Sequence, residues 1–297
     1  MVHVRDRLAG AGGAKGPTLS FEFFPPKSDE AARALEKTVH ELAALDPAFV
    51  SVTYGAGGTE AHRTRDLVVE LSRVHPFPTM AHLTCMNQRR ADLVALLEDY
   101  QANGVDNILA LGGDPPADGG PITGELTYAS ELVELIRSVG DFSIGVAAFP
   151  ELHPRSENVG EDRPRLAAKL AAADVGITQF FFDPAFYFRM MQELAAQGCT
   201  TPVLAGIMPV TSPQSIRRFA AMNGTRVPPG LWARVEQASG ADRLQIAIEA
   251  ASELGAALLA GGAAGLHLYT LNQSAAARQV ATNLGFTGLA GRSSLES

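Results

Sequence analysis

Short apolar runs rich in β-branched and aromatic residues recur along the chain roughly every thirty residues, with segments of helical periodicity between them. The runs are Thr18 to Phe24, Phe49 to Tyr54, Pro78 to Cys85, Asn107 to Leu111, Ser143 to Phe149, Ile177 to Phe182, Pro202 to Val210 and Gly265 to Leu271. Between them the pattern predicts helices over Asp29 to Leu45, Glu60 to Val74, Arg89 to Asn103, Tyr128 to Val139, Pro164 to Ala173, Ala185 to Gln197, Pro213 to Met222 and Arg243 to Ala260. Ser28 before Asp29, and Ser212 before Pro213, carry N-cap chemistry. Eight such units predict an α/β protein whose parallel strands close into a (β/α)8 TIM barrel.

The stretch between the seventh and eighth runs exceeds one crossover, and Pro228-Pro229-Gly230 divides it, so extra helices are expected there. The expected organisation is a single domain: a flexible N-terminal arm over 1–17, the catalytic barrel over 18–286 and a tail over 287–297. The glycines from Gly10 to Gly16 precede the first strand and lack a G-K-[ST] ending, so they read as part of the arm and not as a phosphate loop.

Barrels of this kind place chemistry at the C-terminal strand ends. The strand-end candidates are Glu22, Thr53, Tyr54, His82, Thr84, Asp114, His153, Gln179, Asp183 and Tyr269. Alternation sends Phe21 and Phe23 to one side of the first strand and Ser20 and Glu22 to the other, into the barrel. A carboxyl held there loses hydration in its charged form and becomes a proton donor. A structural glutamate paired with an arginine or backbone amides fits the same pattern. Asp114, after Gly112 and Gly113, reads as a carboxylate at the barrel mouth or as a turn residue before Pro115-Pro116. Gln179 offers both a donor and an acceptor to a heterocycle, or a structural bond. Arg165 and Lys169, one helical turn apart, suit a diphosphate or a solvated face. His82 and His153 lack metal-ligand spacing, and no metal is expected.

At 297 residues the chain suits one barrel, and a net charge of −8 without a dense basic run argues against nucleic acid or an anionic membrane as partner. Its two cysteines, Cys85 and Cys199, read as free thiols of a reducing compartment. No signal-peptide core or membrane-length apolar run is present, so a cytoplasmic protein is expected.

The motifs FEFFPPK at 21–27, SVTYGAGG at 51–58, AHLTC at 81–85, NILALGGDPP at 107–116, YASELV at 128–133, AAFPELHP at 147–154, ITQFFFD at 177–183, GIMPV at 206–210 and LHLYTLN at 266–272 together resemble the methylenetetrahydrofolate reductase family. The resemblance implies reduction of 5,10-methylenetetrahydrofolate to 5-methyltetrahydrofolate by NADH or NADPH, the hydride passing through FAD. It implies that Glu22 protonates the folate so that its five-membered ring opens to an iminium. Asp114 would stand beside flavin and folate, and Gln179 would meet folate and nicotinamide. It further places Thr53, Tyr54, Ala56, His82, Gly113, Asp114, Ala129, Phe149, His153, Asp162, Arg165 and Lys169 around FAD, and Tyr269 and Gln273 near the folate.

The chain departs from the family pattern at four points. Gly112 replaces an arginine that touches the flavin, Phe149 replaces a frequent tyrosine, the segment from Lys169 to Gln179 is one residue short, and Gln273 stands where an arginine is usual. Weakened FAD binding is expected, with a flavin-free reductase of the same substrate or a non-catalytic folate- or flavin-binding protein as alternatives. No strand-end lysine suits a Schiff base, which argues against an aldolase. No control by a regulatory domain of the kind found in some larger relatives is expected. Oligomeric state is left open.

Overall fold

The computed structural model describes residues 2–13, 16–54, 61–114 and 123–288. A short helix, α1 (Val4–Leu8), precedes eight strands: β1 (Thr18–Phe23), β2 (Phe49–Val52), β3 (Thr79–Thr84), β4 (Asn107–Leu111), β5 (Ser143–Ala148), β6 (Val175–Thr178), β7 (Val203–Ile207) and β8 (Gly265–Tyr269). Single helices follow the first six strands: α2 (Asp29–Ala43), α3 (Ala61–Val74), α4 (Arg90–Ala102), α5 (Ala129–Val139), α6 (Val159–Ala171) and α7 (Pro184–Ala195). Three helices, α8 (Pro213–Asn223), α9 (Pro229–Gln237) and α10 (Gly240–Ala260), separate β7 from β8, and α11 (Ser274–Asn283) follows β8. The strands form a closed barrel in chain order, every pair parallel.

The predicted fold and the extra helices are therefore observed, and boundary differences are informative. Strand β6 begins at Val175 and ends at Thr178, so Phe180, Phe181 and Phe182 lie beyond it. Helix α6 begins at Val159, five residues before the proline taken as its start. Asn158 caps it, its side chain accepting from the Glu161 amide at 3.1 Å, and Pro164 is accommodated inside. Ser28 and Ser212 cap α2 and α8 as expected, accepting from the Ala31 and Ser215 amides.

Phe21 and Phe23 are fully buried in the cluster between barrel and helices. A separate cluster joins Phe49, Met80, Leu109, Val175, Ile177 and Leu204 with Val4 and Leu8. Helix α1 thus closes the N-terminal floor of the barrel, which corrects the expectation of a flexible arm over 1–17. The Val4 amide donates to Asn107 Oδ1 at 2.7 Å, the Arg5 amide donates to Ser143 Oγ at 3.0 Å, and Arg5 also forks onto Asp141. Val4 and Leu8 share one helical face by their i,i+4 spacing, a signal that the following glycines obscure. The tail expected over 287–297 lies outside the described residues from 289 onward. No described helix is long and apolar enough to cross a membrane.

Truncating a buried leucine removes transfer energy and leaves a cavity, so Leu8→Ala is expected to cost about 2 to 5 kcal/mol in urea denaturation. Val2→Ala, at an exposed position, should cost almost nothing. Equal, negligible effects would mean that α1 contributes nothing to the barrel floor.

Candidate active site

Above the apolar floor the barrel interior becomes polar. Ser20 and Glu22 from β1, Ser51 from β2, His82 from β3 and His267 from β8 are all buried. His267 stacks on Phe49 at 5.7 Å between ring centroids, joining the two layers. Ser20 Oγ lies 2.8 Å from His267 Nδ1, and Ser51 Oγ lies 3.4 Å from His267 Nε2. Glu22 Oε2 sits 3.5 Å from His82 Nε2 and 3.8 Å from His267 Nε2. Among the described residues no arginine is paired with Glu22, so the arginine-paired form of the structural reading is not met.

Burial dominates the protonation of this layer. It raises the Glu22 carboxyl from 4.5 to about 7, against a smaller pull downward from His82. Burial also lowers His82 to about 4 and His267 to about 3. Near neutral pH both imidazoles are uncharged, so the short Glu22–His82 approach is not an ion pair. His82 Nε2 is buried without a hydrogen-bond partner, an orphan that a bound ligand would satisfy.

Two other candidates border this layer. The Tyr269 hydroxyl donates to the Thr178 carbonyl at 2.7 Å. Its ring crosses Gly206, where a Cβ would come within 2.7 Å of the ring and 2.2 Å of the Thr178 oxygen. Gln179 follows β6 directly, and its Oε1 accepts from Asn223 Nδ2 at 3.0 Å. That bond leaves the amide nitrogen of Gln179 facing away from Asn223, held in one orientation. Gln273 is exposed at the start of α11. Asn272 braces the same turn, donating to and accepting from the Phe24 backbone.

The β3–β6 side of the mouth holds most of the remaining candidates. Gly113 has a φ of 88°, and a Cβ there would press on Thr84 and Met86 at 3.2 and 3.3 Å, so only glycine fits. Asp114 follows, exposed. Cys85 Sγ is 3.5 Å from both the Gly112 and Tyr128 carbonyls, tying β3 to the start of α5, where Ala129 is the first helical residue. Phe149 meets His153 edge-on at 4.5 Å. Lys169 Nζ donates to the Ala147 carbonyl at 2.7 Å, and burial lowers its pKa to about 8, Asp162 opposing and Arg155 adding to the fall. Asp162 accepts from Ser156 at 2.9 Å and Arg163 at 2.5 Å.

Not every predicted residue joins the group. Arg165 is exposed and paired with Glu161 at 3.4 Å, apart from Lys169. The Thr53 backbone is bound to Phe23 and Thr64, and Tyr54 packs on the outer core with its hydroxyl bonded to Gln88. Ala56 lies outside the described residues. Among the described residues no three His, Cys, Asp or Glu side chains are placed to hold a metal ion.

Sequence reasoning passed over His267, Ser51, Asn223 and Arg163. His267 alternates with Tyr269 on β8, and β8 pairs with β1 so that Ser20 opposes His267 and Glu22 opposes Tyr269. That alternation was a usable signal. Arg163, which donates to the Phe149, Pro150 and Glu151 carbonyls as well as to Glu193, gave none.

The methylenetetrahydrofolate reductase family model matches residues 5–285. The chain belongs to this family. The 5,10-methylenetetrahydrofolate reductase of Pectobacterium carotovorum subsp. carotovorum is 35% identical over 273 residues, covering 90% of each chain. The enzyme of that name from Escherichia coli strain K12 is 35% identical over 274 residues, with the same coverage. Among solved structures, a Clostridium thermocellum protein that binds two copies of 5-methyl-5,6,7,8-tetrahydrofolic acid aligns with a TM-score of 0.70. It covers 96% of this chain and 99% of its own, and at 12% identity the likeness is one of fold.

Because Glu22 titrates above its ordinary 4.5, the stability that its protonated form preserves is complete below that pH and is lost as pH rises through about 7. Glu22→Gln is therefore expected to gain about 2 to 3 kcal/mol on wild type between pH 5 and pH 8, read by urea denaturation at both values. Parallel stabilities at the two pH values would rule out a buried titrating carboxyl.

Proposed function

We propose that this chain reduces 5,10-methylenetetrahydrofolate to 5-methyltetrahydrofolate, with NADH or NADPH as reductant and FAD as the relay. The observation that carries the reading is Glu22, a carboxyl group held protonated into the neutral range at the C-terminal end of β1, with no cation paired to it among the described residues. The relatives named as 5,10-methylenetetrahydrofolate reductases support the substrate.

Net reaction adds one hydride and one proton to the folate. Glu22 supplies the proton to the folate nitrogen whose bond to the one-carbon unit opens, leaving that carbon electrophilic. Burial keeps the carboxyl from ionising, and His82 and His267, themselves neutral, offer no competing acid. Gln179, fixed by Asn223, positions whichever ring system lies across the mouth. Asp114 supplies negative charge where the folate becomes cationic. FAD, when bound, would carry the hydride between nicotinamide and folate. The orphan His82 Nε2, the close-packed Gly113, the start of α5 at Ala129, and Phe149, His153 and Lys169 fit such a group. A flavin-free reductase is the second reading, favoured by Gly112 and by the outward Arg165.

In anaerobic half-reactions, Glu22→Gln should retain flavin reduction by NADH but lose at least about a hundredfold in oxidation by the folate, as expected for removal of a general acid. The wild-type folate step should slow as pH rises through about 7. Equal loss of both half-reactions would make Glu22 structural, and folate-dependent NADH oxidation by colourless protein would favour the flavin-free reading. Asn223→Ala should release Gln179 and raise the KM for folate more than it lowers kcat, and an unchanged KM would remove Asn223 from the site.

A further inference from the structure

Position 112 has no side chain, yet the space beside it is taken. A Cβ built on Gly112 would lie 3.3 Å from Arg155 Nη2, 3.6 Å from the Thr127 carbonyl and 3.8 Å from the Ala129 amide nitrogen. The Arg155 guanidinium therefore reaches from the loop between β5 and α6 across to the end of β4 and the first turn of α5. Its backbone amide is anchored on His153 Nδ1 at 3.1 Å.

The neighbouring arginines are spent on carboxylates: Arg163 on Asp162 and Glu193, Arg165 on Glu161. Arg155 pairs with no carboxylate among the described residues. Its charge is instead felt by other groups of the mouth. Burial lowers His153, and Arg155 and then Lys169 lower it further, against Asp162 and Asp114. Arg155 and Lys169 thus bring two cations within electrostatic reach of each other on a chain of net charge −8, beside the start of α5. A guanidinium with a second cation and a helix amide nearby recognises phosphoryl oxygens.

We propose that Arg155, together with Lys169, binds the phosphoryl oxygens of FAD, supplying from the β5–α6 loop the cation that Gly112 lacks. The inference rests on the reading that FAD is the cofactor. It makes Arg155, and not Arg165, the second cation of the pair. It also makes positions 112 and 155 mutually exclusive sites for one charge, because an arginine at 112 would enter the space that Arg155 fills.

The test is FAD affinity of flavin-stripped full-length protein, followed by quenching of flavin fluorescence, with thermal melting to confirm that each variant is folded. Arg155→Met should raise Kd about ten- to a hundredfold, as for loss of one charged contact, while Arg155→Lys should recover most of the affinity. Gly112→Arg alone should not tighten binding, since two guanidinium groups would then compete for one place. Gly112→Arg combined with Arg155→Met should restore affinity to within about threefold of wild type. A folded Arg155→Met protein that binds FAD like wild type overturns the inference and leaves the cofactor reading standing. So does a Gly112→Arg protein that binds more tightly with Arg155 in place. Wild-type protein that fails to bind FAD overturns the cofactor reading, and the inference with it.

Discussion

The polar layer of this barrel turns on one constraint: a carboxyl group buried with no cation beside it among the described residues. An exposed glutamate loses its proton near pH 4.5, whereas Glu22, surrounded by protein and faced by two imidazoles, keeps it to about pH 7. Had either histidine remained charged, its attraction would have pulled the carboxyl back toward ionisation. Burial neutralises them instead, because an imidazolium at the same depth is as poorly solvated as a carboxylate. The acid and its neighbours are thus neutral for the same reason, and that reason is depth in the barrel.

Depth in turn is provided by packing. Val4 and Leu8 of α1 seal the floor with Phe49, Met80 and Leu109, so that cluster packs the barrel from below and leaves its polar layer opening toward the strand ends. Stability and the protonation of Glu22 are coupled through this arrangement, since the same burial that raises its pKa destabilises the folded state once the carboxyl ionises. On the mouth itself a second buried charge performs a structural task. Arg163 gathers three consecutive carbonyls, Phe149 to Glu151, and satisfies Asp162 and Glu193 at once, fixing the loop that carries His153 and Arg155.

The barrel was legible because period-two apolar runs and helical segments alternate eight times, and each level of the pattern agrees with the others. Glu22 was legible for the same reason: alternation on β1 states which way it points. His267 obeys the same rule but escaped attention, being flanked by leucines in a strand that reads as plain core. Helix α1 was lost because two apolar residues in five do not outweigh a run of glycines. The bonds from Arg163 to the Phe149–Glu151 carbonyls and to Glu193, and the approach of Arg155 to Gly112, join segments that are 12 to 43 residues apart and have no local signature. Such contacts depend on loop paths, which residue periodicity does not encode.

The relation between Gly112 and Arg155 carries a wider point about reading a family pattern position by position. A motif records where a side chain is attached, but a ligand responds to where the charge ends up. Arginine has a long side chain, and the ends of β4 and β5 are adjacent in the sheet, so one guanidinium can reach the same place from either strand's loop. Loss of the residue at 112 is therefore not by itself loss of the charge. Gly112 alone reads as a position without charge, whereas Gly112 with a guanidinium 3.3 Å from its missing Cβ, one that has no carboxylate partner among the described residues, has a cation beside it all the same.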